Sequence, residues 1–371
     1  MTAIPDPGSG LPGSVAAAVA TDPGTTELRQ LRMPSTGPDD GMLRVEATAV
    51  SGKDWRIYQR QSRGAQLGPV ILGREIVGRV AELGEWAAQR WDVSIGDRVV
   101  VEEFLPCGVC RLCRSGAQSL CRTTNSYGST PVATEPALYG GFGEYLYLHP
   151  RAMVHRVGPD VPAELATLYV PIANGIRWVV REGGLTIGQT LVVIGPGQHG
   201  LACVLAGREA GAGRIIVIGT RRDGSRLAVA RALGADHTLF ADEDPATAVA
   251  DLTGGVGADV VVDLAAGEPG TVEDAIAMCA PRGSLVLAAS KHGRPVTAFP
   301  HDLVVRKELR LIGVRGGDHR SVIAALELIR TGRHRLGLLA THRFPLRQTA
   351  DALELAGRRA DPSAIHVTVR P

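Results

Sequence analysis

The chain is short of net charge, lysine and cysteine, and it lacks any long apolar run. Its 371 residues carry 40 basic and 38 acidic side chains, a formal net charge of +2. That balance gives no electrostatic reason to expect a nucleic acid or an anionic membrane as partner. No apolar stretch is long enough to span a bilayer. The opening MTAIPDPGSGLPGS has no basic segment followed by an apolar one, so it does not read as a signal peptide, and a cytoplasmic protein is expected. Residues 1–14 read instead as a disordered tail. No internal repeat is present. Only three of the basic residues are lysines, Lys53, Lys291 and Lys307, which makes each of them conspicuous. Cysteines number six, and four of them share one short stretch.

What is present points to a soluble globular protein, since 44% of residues are hydrophobic and 21% charged. The length exceeds one ordinary core, so two domains are expected. The segment VEEFLPCGVCRLCRSGAQSLC spaces Cys107, Cys110, Cys113 and Cys121 as C-x2-C-x2-C-x7-C. Without secretion, such a cluster favours metal over disulfides. Four thiolates build a closed tetrahedral site, and closed sulfur-only zinc sites are structural, not catalytic. One structural Zn2+ in a lobe at about 103–125 is therefore expected; the alternative is a reduced cluster without metal. Cys203 and Cys279 lie in apolar stretches and read as core residues.

From about residue 15 to 162, short β-like runs such as MLRVEATAV, EIVGRVAEL and GEYLYLHP are divided by Gly and Pro, which predicts a mostly antiparallel β-domain. From about 163 the texture changes to alternating strand and helix, beginning with TLVVIGPGQHGLACVLAGREAG and RIIVIGTRR. Fully apolar strands alternating with helices mean a parallel sheet covered on both faces, an α/β domain over about 163–305. The remaining C-terminal segment fits either domain.

Gly195, Gly197 and Gly200 form G-x-G-x-x-G directly after the strand TLVVI and at the start of a helix. In that context the pattern reads as a dinucleotide site: the glycines allow a tight turn and close approach of a pyrophosphate to a helix N-terminus. A glycine turn with no ligand is the plain alternative. Gln198, His199, Gly219, Thr220 and Asn174 join the candidate cofactor residues. Where NAD-binding chains place Asp or Glu after the second strand, this one has Gly219, Thr220, Arg221 and Arg222. A missing carboxylate followed by two guanidiniums favours NADP(H), with NAD(H) possible because Asp223 is near.

The cysteine lobe, GDRVVVEEFLPCGVCRLC, GGFGEYLYLHP, the GPGQHG turn and ALGAD together resemble the medium-chain dehydrogenase/reductase superfamily, in its zinc alcohol dehydrogenase-like branch, from about Gly24 onward. The resemblance implies a GroES-like catalytic domain that the chain re-enters at its C-terminus, which assigns 306–371 to the first domain, plus a Rossmann domain. It also implies a homodimer or homotetramer. Members with catalytic zinc carry C-G-x-D, then G-H-E, then a Cys or acidic ligand before the Rossmann domain. Here those places read Ser51-Gly52-Lys53-Asp54, Gly73-Arg74-Glu75 and, in LYVPIANGIRW, Val170. Arginine and valine are not zinc ligands and serine is a poor one. A catalytic zinc is therefore expected to be absent, unless Asp54 and Glu75 are recruited to a rearranged site.

Lys53, Arg74 and Glu75 are the candidate catalytic residues, with Arg56 nearby in sequence. Their cationic members are expected to converge and to stabilise an oxyanion or hold a carboxylate, and Lys53 to donate a proton. Arg74 paired with Asp54 or Glu75 as a plain filler is the alternative. Trp55, Tyr58, Tyr169 and Trp178 fit a pocket lining or a core equally well. Without a Lewis acid an alcohol–ketone exchange loses several kcal/mol of oxygen polarisation, whereas a conjugated double bond needs less. Zinc-free relatives, the quinone and enoyl reductases, work that way. The expected activity is NADP(H)-dependent reduction of an activated double bond in a small molecule. Carbonyl or imine reduction is the near rival. A nucleotide-binding pseudoenzyme, or a non-redox lyase or cyclase on the same fold, is the reading from another class.

Overall fold

The computed structural model describes residues 10–61, 68–122, 125–358 and 361–371. The chain divides into two compact units. The first comprises Met1–Thr167, His342–Ala360 and Val367–Pro371, and the second Leu168–Thr341 and Asp361–His366.

The first unit is antiparallel, as its short, punctuated apolar runs predict. Strands β1 (Ser14–Ala20) and β2 (Thr26–Arg32) pair from Ser14↔Arg32 to Ala20↔Thr26, and β4 (Val70–Ile71) pairs the other edge of β1. A larger sheet is built on β3 (Gly41–Ala49) and β5 (Glu75–Leu83), which run antiparallel from Gly41↔Leu83 to Ala49↔Glu75. It continues through β6 (Arg98–Val101) to β10 (Val154–Arg156), while β9 (Tyr145–Leu148) adds to β3. A small hairpin joins β7 (Phe104–Leu105) to β8 (Asn125–Ser126) at the base of the cysteine lobe.

The second unit is a parallel sheet. Its strands are β11 (Thr190–Ile194), β12 (Arg214–Gly219), β13 (His237–Phe240), β14 (Ala258–Asp263), β15 (Cys279–Leu287) and β16 (Arg310–Gly313). Their order is β13-β12-β11-β14-β15-β16. Every residue of β11 is buried, because helices cover both faces. Val192, Ile194, Ile216, Ile218, Val261, Ile276 and Leu285 lie in one buried cluster, each worth about 1.5–3 kcal/mol relative to exposure. Cys203 and Cys279 are buried, as expected. The order reverses between β11 and β14, and in open α/β sheets ligands bind outside the carboxyl ends of the strands at such a switch point.

The expected return to the first domain at 306 is too early. β16 continues the parallel ladder on β15, from Ser284↔Arg310 to Leu287↔Gly313. Without it β15 would present an unpaired edge. The helix His319–Thr331 also packs against the helix Tyr169–Gly175 of the same unit. The crossing comes near His342, within β17 (Ala340–Pro345), and β18 (His366–Arg370) lies beside β3 through Thr368↔Ala49 and Val369↔Thr48. The expected N-terminal tail falls mostly on residues 1–9, outside the described residues; β1 already begins at Ser14. Among the described residues no helix is long and apolar enough to cross a membrane.

Candidate active site and metal lobe

Ser51 caps the helix Gly52–Tyr58 in a reciprocal box. Its Oγ donates to Asp54 Oδ2 at 2.5 Å, its backbone N–H donates to the same oxygen at 2.9 Å, and Asp54 N–H donates back to Oγ at 3.2 Å. The other carboxylate oxygen, Asp54 Oδ1, accepts from Gly73 N–H and Arg74 Nε, both at 3.0 Å. Arg74 is 3% exposed and spends the rest of its fork inside the protein: Nη1 donates to Glu103 Oε1 at 2.7 Å and Nη2 to the Gly128 carbonyl at 2.9 Å. Lys53 Nζ pairs with the same Glu103 oxygen and sits 5.6 Å from the Phe104 ring centroid.

Opposite charges are paired within this cluster. Burial alone would pull the Arg74 guanidinium down, but Asp54 and Glu103 outweigh it and hold it above its ordinary value. Burial would likewise raise Glu103, yet Arg74 and Lys53 hold its carboxyl below the usual range. Burial, then the negative charge of Asp54, pushes Glu75 up to about 8, so this carboxyl is neutral at pH 7. Burial and the charge of Arg74 pull Arg56 down. Asp54 and Glu103 thus face Arg74 and Lys53, with Arg56 as a further cation near Arg74 and Glu75 as a neutral acid beside them. The expected convergence of cations is present, since Lys53 and Arg74 meet on one Glu103 oxygen and Arg56 lies within reach of the Arg74 charge, but Asp54 and Glu103 oppose them, and Arg74 is bound to both.

Ser51, Asp54 and Arg74 do not offer a zinc the ligands that the family's Cys and His supply, and in this cluster Glu75 Oε2 is the oxygen with no hydrogen-bond partner among the described residues. Both Asp54 oxygens already accept two hydrogen bonds each, the Ser51 hydroxyl is donated, and a guanidinium has no lone pair to offer. Val170, half-buried in the helix Tyr169–Gly175 of the second unit, has no ligand atom at all.

The cysteine lobe does fit a metal. The Sγ atoms of Cys107, Cys110, Cys113 and Cys121 all lie within 4.8 Å of one another. Cys110–Cys113 is 3.5 Å, Cys107–Cys113 3.9 Å and Cys110–Cys121 4.0 Å. A tetrahedron with zinc–sulfur bonds of about 2.3 Å has edges of about 3.8 Å. The backbone N–H groups of Cys110 and Cys113 donate to Cys107 Sγ and Cys110 Sγ, each at 3.4 Å, which favours thiolates.

In the second unit, the turn after β11 requires its glycines. Gly195 has φ +102, and a Cβ on Gly200 would lie 2.0 Å from the Gly195 carbonyl oxygen. Gly197 caps the helix Gln198–Glu209 with no side chain across its N-terminus. The side chains of Gln198 and His199 turn into the protein instead. Gln198 Oε1 bonds His366 Nδ1 at 2.8 Å, and the His199 ring stacks on Trp178 with centroids 5.4 Å apart. Burial pushes His199 down to about 4, so the ring is neutral. What these two residues offer outward at the helix start is their backbone N–H groups. Asn174 is buried against Gly317, also facing inward.

At the end of β12, Gly219 packs against Pro196. Thr220 forms a capping box with Asp223, and Asp223 is buried against Arg226 at 2.9 Å. Its carboxylate is committed to the protein. Arg221 lies 4.2 Å from the Phe240 centroid and donates to Asp242 at 3.0 Å and to Glu243 at 2.5 Å; Arg222 is exposed. Three of the aromatic candidates are core: Tyr58 donates to the Gly24 carbonyl at 2.6 Å, Tyr169 is 1% exposed, and Trp178 donates to the Gly316 carbonyl at 3.2 Å; Trp55 is half-buried and packs on Gly357.

Residues 37–159 match the family described as alcohol dehydrogenase GroES-like domain, and residues 200–331 match zinc-binding dehydrogenase. A probable alcohol dehydrogenase of Mycobacterium tuberculosis is 40% identical over 96% of this chain and 98% of its own length. The chain belongs to the zinc-type medium-chain dehydrogenase/reductase superfamily. An erythritol/L-threitol dehydrogenase of Mycolicibacterium smegmatis is 31% identical over 93% of this chain and 95% of its own. Among solved structures, a putative zinc-binding dehydrogenase of Sinorhizobium meliloti bound to NADP superposes with a TM-score of 0.85 at 26% identity, covering 96% of this chain and 99% of that one. The protein is thus an oxidoreductase of this superfamily with a nicotinamide cofactor.

Within this dehydrogenase, sequence reasoning missed Glu103 and the Gly128 carbonyl. Glu103 lies 50 residues from Lys53 and 29 from Arg74, and no spacing signals it. The capping box Ser51-x-x-Asp54 was also missed, although its signal is local.

Proposed function

We propose that this dehydrogenase is a zinc-independent, NADP(H)-linked reductase acting on a polarised carbon–carbon double bond of a small molecule. The observation that carries the reading is Arg74, held in the position of the family's imidazole ligand by Asp54, Glu103 and Gly128. A buried guanidinium there cannot polarise a carbonyl oxygen as a Lewis acid does, which costs a carbonyl substrate several kcal/mol. A conjugated double bond carries its own electron acceptor and needs less.

When bound, the nicotinamide supplies the hydride. Lys53 Nζ, part-exposed, carries the proton that the reduced carbon requires, and Glu103 fixes the ammonium in place. Asp223 is engaged by Thr220 and Arg226, which leaves it less free for a ribose 2′-hydroxyl, and the exposed Arg222 and the remaining N–H groups of Arg221 suit a 2′-phosphate. Cys107, Cys110, Cys113 and Cys121 would hold one Zn2+ that ties the lobe together and takes no part in the chemistry. The names of the relatives, alcohol and erythritol/L-threitol dehydrogenase, favour a second reading, exchange between an alcohol and a carbonyl.

Purified protein incubated with NADPH or NADP+ and a panel of enones, enoyl thioesters, ketones, aldehydes and polyols separates these. NADPH oxidation by enones that survives a chelator supports the proposal. Turnover confined to alcohols or carbonyls and abolished by a chelator overturns it. No nicotinamide turnover with any compound points to a pseudoenzyme.

A further inference from the structure

Lys291 is one of three lysines, and the chemistry above does not use it. Its ammonium is spent on three partners: Asp263 Oδ2 at 2.7 Å, the Ala265 carbonyl at 2.7 Å and Thr271 Oγ1 at 2.9 Å. Its side chain is 13% exposed and that of Asp263 is 1% exposed. An ammonium has three N–H bonds, so none is left for a ligand.

The place of this clamp gives it a consequence. Asp263 ends β14 and stands beside Ile194, the residue before the glycine turn. Leu264 N–H donates to the Ile194 carbonyl at 2.9 Å, and a Cβ on Gly195 would lie 3.3 Å from the Leu264 carbonyl carbon. Asp263, Leu264 and Ala265 therefore form the wall of the switch-point crevice that faces the glycine turn. Asp263 Oδ1 accepts from Ala265 N–H at 3.0 Å, so Ala265 is held at both its backbone groups, by Asp263 and by Lys291. Lys291 itself follows β15, whose exit is tied to the same place: Ala288 N–H donates to the Asp263 carbonyl at 3.1 Å, and Gly267 N–H to the Ser290 carbonyl at 2.9 Å. One buried ammonium thus locks together the chain leaving β14 and the chain leaving β15.

We infer that Lys291 is a positioning residue for the nicotinamide dinucleotide, acting through the wall it holds opposite the glycine turn. The inference rests on the cofactor reading above but not on the choice between NADP(H) and NAD(H). Removing the clamp loosens the wall for either nucleotide.

The test is binding of NADPH and of NADH, followed by nicotinamide fluorescence, to wild type, Lys291→Met, Lys291→Arg and the charge-neutral double variant Asp263→Asn/Lys291→Met. The single Met variant leaves a buried carboxylate unpaired and is at risk of not folding; the double variant removes both charges and keeps the question open to measurement. The expected result in a folded variant is a Kd raised about tenfold for both nucleotides. The preference between them should not change, KM for the cofactor should rise far more than kcat falls, and Lys291→Arg should recover most of the loss. An unchanged Kd in the folded double variant overturns the inference. So does a loss confined to NADPH, which would make Lys291 a phosphate contact. Wild type that binds neither nucleotide would overturn the cofactor reading and this inference with it.

Discussion

Replacing Glu75 with Gln tests the electrostatics of the cluster in a way that can be worked through in advance. Glu75 opens β5, is 1% exposed, and its Oε2 has no hydrogen-bond partner among the described residues. Burial and the neighbouring Asp54 charge push it from an ordinary 4.5 up to about 8. The folded protein therefore keeps a proton that the unfolded chain releases above about pH 4.5, and wild-type stability falls as pH rises across that window. The interval from 4.5 to about 8, at about 1.4 kcal/mol per pH unit, sets a ceiling of about 5 kcal/mol. A Gln side chain is neutral throughout and carries no such slope. Its amide adds a constant offset, so the slope is the quantity to read. Urea denaturation of wild type and Glu75→Gln from about pH 5 to about pH 9 should show the gap moving in favour of Gln by about 1 kcal/mol per pH unit, then levelling above about pH 8. Parallel stability curves would refute the reasoning, because they would mean that Glu75 ionises alike in both states.

Three other perturbations follow from the same residues. Arg74→Met leaves Asp54 and Glu103 without their buried partner and should cost about 3–5 kcal/mol by chemical denaturation; a loss under about 1 kcal/mol would show that the guanidinium is not the keystone. Lys53→Ala breaks a part-exposed ion pair, so stability should move by less than about 1 kcal/mol while turnover of the identified substrate falls about a hundredfold or more. Unchanged turnover would remove Lys53 from the mechanism. Arg221→Ala with Arg222→Ala should raise the Kd for NADPH about tenfold or more and leave NADH within about twofold, measured by fluorescence titration; equal losses would contradict the 2′-phosphate assignment.

The sheets and the clustering of the four cysteines were legible because their signals are local. LVVI, IIVI and VVV are short apolar runs that, alternating with helices, suit a doubly covered parallel sheet, and four cysteines within fifteen residues suit a metal. The return point of the chain was not legible: RLIG suits a strand in either unit, and only the ladder with β15 decides. The state of Arg74 was legible in part, since pairing with Asp54 was one of the two readings. Replacement of an imidazole by a guanidinium was plain in the sequence, but its fate depends on Glu103 and Gly128, which come from distant segments. The G-x-G-x-x-G pattern marked the turn correctly but says nothing of which neighbouring side chains face a ligand. Gln198 and His199 face His366 and Trp178 because the first turn of that helix is half covered by its own unit.

The central claim, on the function proposed above, is that the ion-pair cluster of Asp54, Arg74 and Glu103 holds no metal and the four cysteines hold one zinc. Metal content of the purified protein, alone and with Cys110→Ser and Cys113→Ser together, tests it most directly. The account predicts about one zinc per chain in the wild type, essentially none in the double variant, and no loss of nicotinamide turnover when a chelator is added to the wild type. Two zincs per chain, or a zinc that survives loss of the cysteines and is needed for turnover, would contradict it.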